Sequence, residues 1–180
     1  MKKKVPETIP KVEYKKILYT TDLSESGRYA FHHAASLTTH YGAELTAIHV
    51  VEGGPELDKR LLGYVDDKLW EEIKTRNLQD ARAFLTSRKR DNVAIKECVG
   101  QFCEEVQADA PEQADVTYSI VVKIGDPARE IIEEAETGNY DLIVMGSHSR
   151  GSLMNAVMGD TVKLVVRRSE IPVLVVRVPE

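Results

Sequence analysis

The sequence predicts an α/β fold: a parallel β-sheet covered by helices on both faces. Segments that read as strands alternate along the chain with segments of helical period. The strand segments are also continuous apolar runs, as in "ILY" at 17–19 and "LIVM" at 142–145, and not the polar/apolar alternation of a sheet with one wet face. Sheets of this kind bind ligands outside the C-terminal ends of their strands, where strand order reverses.

The first strand centres on Ile17, Leu18 and Tyr19 in "YKKILYTTD", with Asp22 at its C-terminal end. A helix follows over 23–42. Ser24 supplies an N-cap acceptor, Gly42 a stop, and Ala30, Phe31, Ala34, Ala35 and Leu37 an apolar stripe. "AELTAIHVVE" is a second strand ending near Val51, with His49 packed inside it. Residues 53–68 read as a loop with a short helical turn, and 69–90 as a long helix on which Leu69, Ile73, Leu78, Ala81 and Leu85 recur at helical spacing. Ile95, Val99, Phe102 and Val106 predict a further amphipathic helix from about Val93 to Ala108. The third strand spans 116–125. Asp126 as N-cap and Pro127 at the first helical position open a helix that Gly138 ends. "DLIVMG" (141–146) and "PVLVVRV" (172–178) are the fourth and fifth strands, joined by a helix over 153–169.

The 180 residues suffice for one core, read here as a flexible tail at 1–13 and a single domain at 14–178, with the helix near 91–115 as an added insertion. A formal net charge of −5 argues against nucleic acid or an anionic membrane surface as partner. No apolar run approaches the roughly 20 residues that span a bilayer. The basic start "MKKKVPETIPKVEYKK" has no apolar core behind it, so it does not read as a secretory signal, and a cytoplasmic chain is expected. Cys98 and Cys103 are too few for a disulfide framework. On one helix they lie about 140° apart, which disfavours a bridge between them. His32, His33, His40 and His49 lack metal-ligand spacing, and His148 in "GSHSR" reads as an exposed loop side chain. With no Ser/His/Asp set, metal cluster or Walker loop in the sequence, an enzyme is the weaker class.

Five segments in order carry a family resemblance. "YKKILYTTDLSE", "LTAIHVVE", "GDPAREIIEEAE", "YDLIVMGSHSRG" and "IPVLVVR" together resemble the universal stress protein family over nearly all of residues 14–178. The resemblance implies an adenine nucleotide alpha hydrolase-like fold, with a five-stranded parallel sheet in the order 3-2-1-4-5. It also implies a cytoplasmic homodimer paired through the C-terminal strand, serving stress tolerance and not a known metabolic reaction. Many members bind ATP through G-x2-G-x9-G-[S/T], which maps here to Gly146, Ser149, Gly159 and Asp160. Asp22 would lie near the adenine or ribose, and the backbone at Val50 would face the adenine.

Two positions depart from that motif. Ser149 adds a Cβ where glycine is expected, which costs about 1–2 kcal/mol if its φ is positive. Asp160 replaces a hydroxyl donor with a carboxylate. At about 4 Å and an effective dielectric near 20, its repulsion of one phosphate charge is at most about 4 kcal/mol. Mg²⁺ bridging Asp160 and phosphate, or pairing by Arg150 or Lys163, would relieve it. The plainer alternative makes Gly146 a strand end, Gly159 a packing residue, Asp160 a solvated side chain and Asp22 a helix cap. The leading expectation is therefore a stress-response regulatory or binding protein with a degenerate cleft for ATP or AMP, with Mg²⁺ if the ligand is a triphosphate. A slow metal-dependent ATP hydrolase and an interaction protein with an empty cleft are the alternatives.

Overall fold

The computed structural model describes residues 11–51, 93–110, 116–147 and 158–179. The loop and helix expected over 53–90, with Trp70, lie outside the described residues, as do Ser149 and most of the predicted tail. The elements are β1 (Lys16–Thr20), α1 (Glu25–Tyr41), β2 (Glu44–Val51), α2 (Val93–Ala108), β3 (Tyr118–Ile124), α3 (Pro127–Thr137), β4 (Leu142–Gly146), α4 (Asp160–Arg168) and β5 (Val173–Val176). The strands form one sheet in the order β3-β2-β1-β4-β5, every pair parallel, as the resemblance implies.

Strand alternation sorts the core into two layers. Ile17, Tyr19, Leu45, Ala47, Val51, Leu142 and Val144 face α1 and α2. Leu18, Ile48, Val50, Ile143 and Met145 face α3 and α4. Because both faces of β1, β2 and β4 are covered, these strands read as unbroken apolar runs. Among the described residues no helix is long and apolar enough to cross a membrane.

Local signals set most boundaries. Ser24 Oγ accepts from the Gly27 N–H at 3.2 Å and starts α1, and Gly42 at φ 62 stops it. Asp126 Oδ1 accepts from the Arg129 N–H at 2.8 Å, with Pro127 in the first turn of α3. The left-handed residue after α3 is Asn139 (φ 54), while Gly138 keeps right-handed angles. Asparagine tolerates that conformation, so glycine is not required there.

One predicted helix is not helical at its expected positions 158 and 159. The helix anticipated over 153–169 has its first described helical residue at Asp160, with Gly159 extended before it (φ −57, ψ 151). The Gly159 N–H donates to the Ser147 carbonyl at 3.1 Å, which draws the chain toward β4. Glycine is also the weakest ordinary helix former, so the break falls where helix is least favoured.

The Val93–Ala108 helix forms as its periodicity predicts. Ile95, Cys98, Val99, Phe102, Cys103 and Val106 are all buried in the layer that holds Tyr19 and Phe31. The Arg28 guanidinium of α1 lies 5.1 Å from the Phe102 ring centroid and pairs with Glu105 (3.3 Å) and Asp109 (3.2 Å). Burial, and secondarily Glu104, pushes the Cys103 thiol up to about 12, so it stays protonated and unreactive at neutral pH.

Truncating Phe102 to Ala removes the largest side chain that α2 buries. Urea unfolding of Phe102→Ala is expected to show a loss of about 3–5 kcal/mol. An unchanged midpoint would mean that α2 is not part of the core.

Candidate functional site

In this strand order the connections leave β1 and β4 on opposite faces, α1 toward one layer and α4 toward the other. The C-terminal ends of these neighbouring strands are therefore the reversal point at which such sheets take ligands. Asp22, Val50, Gly146, Gly159 and Asp160 all lie at this edge, in four separate segments of chain. Ser149 falls among residues 148–157, outside the described residues.

Beyond β1 the chain makes a turn tied by side chains. Thr21 Oγ1 accepts from the Leu23 N–H at 3.0 Å, and Asp22 Oδ1 accepts from the Ser24 N–H at 3.1 Å. Leu23 has φ 60 and is fully buried. A left-handed non-glycine residue costs about 1–2 kcal/mol, so burial and hydrogen bonds must hold it in place. Asp22 thus both closes a local turn and stands half-buried two residues past the end of β1. The helix cap expected as the plainer role of Asp22 is supplied instead by Ser24, and Asp22 Oδ1 serves the turn before it.

Val50 buries its side chain in the second layer. Ile48 gives its carbonyl to the Thr21 N–H at 3.0 Å, so Val50, two residues later, aims its own backbone toward the same β1 side. The β1–β2 ladder ends at Thr20↔Ile48, and the Val50 backbone therefore faces the side that β1 has left.

Gly146 ends β4 as expected, but the room beside its Cα is filled by the protein itself. A Cβ there would lie 2.7 Å from the carbonyl C and O of Ser26 and would strike Ser26 Oγ. The close approach that glycine allows is made by the first turn of α1. Under that turn, the Tyr19 hydroxyl donates to the Gly27 carbonyl at 2.9 Å. Burial raises the Tyr19 phenol well above its ordinary range, keeping the donor protonated.

The glycine-rich connection between β4 and α4 is closed at its base. The Ser147 N–H donates to the Val176 carbonyl at 2.8 Å, and the Ser147 carbonyl accepts from Gly159. The Gly159 N–H is therefore already used. The first bond within α4 runs from the Lys163 N–H to the Gly159 carbonyl at 3.0 Å. The N–H groups of Asp160, Thr161 and Val162 lie in the first turn, where a helix has no acceptors of its own. Gly159 brings no side-chain cap to them. The Asp160 side chain is 94% exposed and pairs with Lys163 Nζ at 3.0 Å. Solvent and this ion pair screen its charge, so the repulsion expected from the sequence is much reduced.

Sequence reasoning did not single out Ser26, Gly27 or Ser147, all buried at this edge. The small residues Ser24, Ser26 and Gly27 in "SESG" were the available sign, since small side chains in a first helical turn permit close packing. Among the described residues no group of three or more His, Cys, Asp or Glu side chains is placed to hold a metal.

Residues 13–177 match the universal stress protein family. The universal stress protein MJ0577 of Methanocaldococcus jannaschii is 29% identical over 178 residues, covering 92% of this chain and 96% of its own. The universal stress protein UspA of Lactobacillus plantarum superposes with a TM-score of 0.60 at 21% identity, over 93% of this chain and 100% of its own. A universal stress protein solved in complex with cAMP superposes with a TM-score of 0.55 at 17% identity, over 92% of this chain and 98% of its own.

Placing a methyl group at Gly146 forces β4 and α1 apart. Gly146→Ala is expected to lower stability by about 1–3 kcal/mol, the usual effect of overpacking. Thermal unfolding measures it, and a melting temperature equal to the parent's would show that the Ser26 contact is not tight.

Proposed function

Since the chain belongs to the universal stress protein family, we propose that it is a cytoplasmic stress-response regulatory protein that binds an adenine nucleotide at the β1/β4 reversal point. The observation that carries this reading is the start of α4. Its first-turn N–H groups sit at the end of β4, behind a connection closed by Gly159 and Ser147, and a helix N-terminus of this kind favours an anion. Asp22, at the end of β1, is suited to accept from ribose hydroxyls or the adenine amino group. The cAMP complex of a similarly folded protein supports an adenosine monophosphate as one ligand class. ATP with Mg²⁺ is the other.

The test uses purified full-length protein. It is denatured, and the supernatant is analysed for released nucleotide. Calorimetry then follows with AMP, cAMP and ATP, with and without Mg²⁺. Adenine nucleotide is expected in at least one of the two measurements. Because Asp160 is exposed and paired, Asp160→Ser should change ATP affinity by less than about fivefold. A larger gain would restore the repulsion argument. Protein that is empty and takes up none of the three ligands would refute nucleotide binding and leave the interaction-protein alternative. Mg²⁺-dependent phosphate release would instead identify a slow hydrolase.

The same proposal includes a homodimer through β5. This strand is at one edge of the sheet, and Ile171, Val173, Leu174 and Val175 are only partly buried. Ser147 and Ile143 donate to the carbonyls of Val176 and Pro172, so even-numbered residues bond to β4 and Val173 and Val175 point their backbone groups outward. An apolar edge with free backbone groups invites strand pairing. Two copies meeting antiparallel across a two-fold axis would satisfy both edges at once. Val175→Pro removes an outward donor without touching the β4 ladder. Sedimentation equilibrium is expected to give a dimeric parent and a monomeric variant at micromolar concentration. A monomeric parent, or a dimer indifferent to the substitution, would rule out this interface.

A further inference from the structure

His49 is fully buried near the end of β2, and strand alternation puts it in the layer with Ala47 and Val51. An apolar side chain would fill that space without the cost of desolvating an imidazole. The compensation is a hydrogen bond 28 residues away in sequence: His49 Nδ1 lies 2.8 Å from the Thr21 carbonyl oxygen. A carbonyl only accepts, so Nδ1 carries the hydrogen and the bond sets the tautomer.

The position of this bond gives it a second consequence. Thr21 is the first residue after β1, and its N–H already donates to the Ile48 carbonyl of β2. The imidazole takes the other end of the same residue. Neighbouring residues of β2 thus grip Thr21 at both its N–H and its C=O. The turn that follows contains the left-handed Leu23 and the half-buried Asp22; the Leu23 N–H donates to Thr21 Oγ1 and the Ser24 N–H to Asp22 Oδ1, and Ser24 in turn caps α1. The internal bonds shape the turn, and Ser24 joins its far end to α1, but none of these bonds reaches the sheet. Thr21 is where it is fastened to the sheet, and a backbone conformation of this kind persists only where its surroundings over-determine it.

Resting on the nucleotide reading above, we propose that His49 is a positioning residue for the site: by holding the Thr21 carbonyl it fixes the left-handed turn that presents Asp22. It need not touch the ligand. Its effect on binding passes through Asp22 and disappears when Asp22 can no longer bind.

The experiment is a double-mutant cycle on the full-length protein with AMP as probe. His49→Leu removes the donor, while His49→Asn keeps an N–H close to the position of Nδ1. His49→Leu is expected to weaken AMP binding by about tenfold or more, and His49→Asn to stay within about threefold of the parent. In an Asp22→Ala background, His49→Leu should weaken AMP binding no further, although its lowering of the melting temperature persists. An equal loss of affinity in both backgrounds, or a loss with Asn as large as with Leu, would overturn the proposal and leave His49 a packing residue. If the parent binds no nucleotide, the nucleotide reading fails separately. The positioning claim is then read from amide exchange at Leu23 and Ser24, expected to be about tenfold faster in His49→Leu and unchanged in His49→Asn. Unchanged exchange in His49→Leu would overturn it.

Discussion

The approach of α1 to β4 at Gly146 is the constraint on which the upper edge of this molecule depends. With no side chain at Gly146, the carbonyl of Ser26 comes to where a Cβ would stand. That contact brings the first turn of α1, which follows β1 in sequence, over the end of β4, which lies beside β1 in space. The Tyr19 hydroxyl fastens the same turn from below through the Gly27 carbonyl. Two strands whose crossovers depart to opposite faces are thereby joined at their C-terminal ends, with a helix start above them. A larger residue at 146 would separate the parts from which the candidate site is assembled.

The two ends of the sheet are held by different chemistry. At the N-terminal end of the strands, Asp141 Oδ2 accepts from the N–H groups of Lys15 (2.7 Å) and Lys16 (2.8 Å). Lys16 Nζ reaches the Gly138 carbonyl at 2.7 Å. These bonds cap helix and strand ends and direct backbone groups into the protein. At the C-terminal end, Thr21, Asp22, Ser24 and His49 hold turns in place. The first turn of α4 lies at that same end.

The helix of residues 93–108 shows how periodicity alone reaches a correct element but not its setting. Its apolar spacing predicts the helix, yet spacing cannot say whether the stripe covers the core, a partner or a cleft. The structure sets Phe102 and Cys103 against the layer that contains Tyr19 and Phe31, with Arg28 clasping the outer side. That pairing joins residues about 80 apart along the chain, a distance over which local pattern carries no information.

By itself the sequence determined the alternation of strands and helices, the caps at Ser24 and Asp126, the stop at Gly42 and a family resemblance that implied the strand order. Each of the local features is legible because its cause is local: a period, a side-chain acceptor beside an N–H, or a backbone angle that glycine allows. Only the tertiary structure decided what those residues do for one another. Asp160 looked hostile to phosphate as a letter in a motif, but in space its carboxylate points to solvent and pairs with Lys163. Gly146 read as a place for a ligand to approach, but the protein's own Ser26 comes close there instead. Gly159 read as a cradle residue, but its N–H is spent on Ser147. His49 read as packing alone, and the structure adds its bond to Thr21. The Gly146, Gly159 and His49 contacts join separate elements, while the Asp160–Lys163 pair lies three residues apart on one helix; in all four, direction and distance in space, which a linear pattern does not encode, determine whether a charge repels, a gap stays open or a donor remains available.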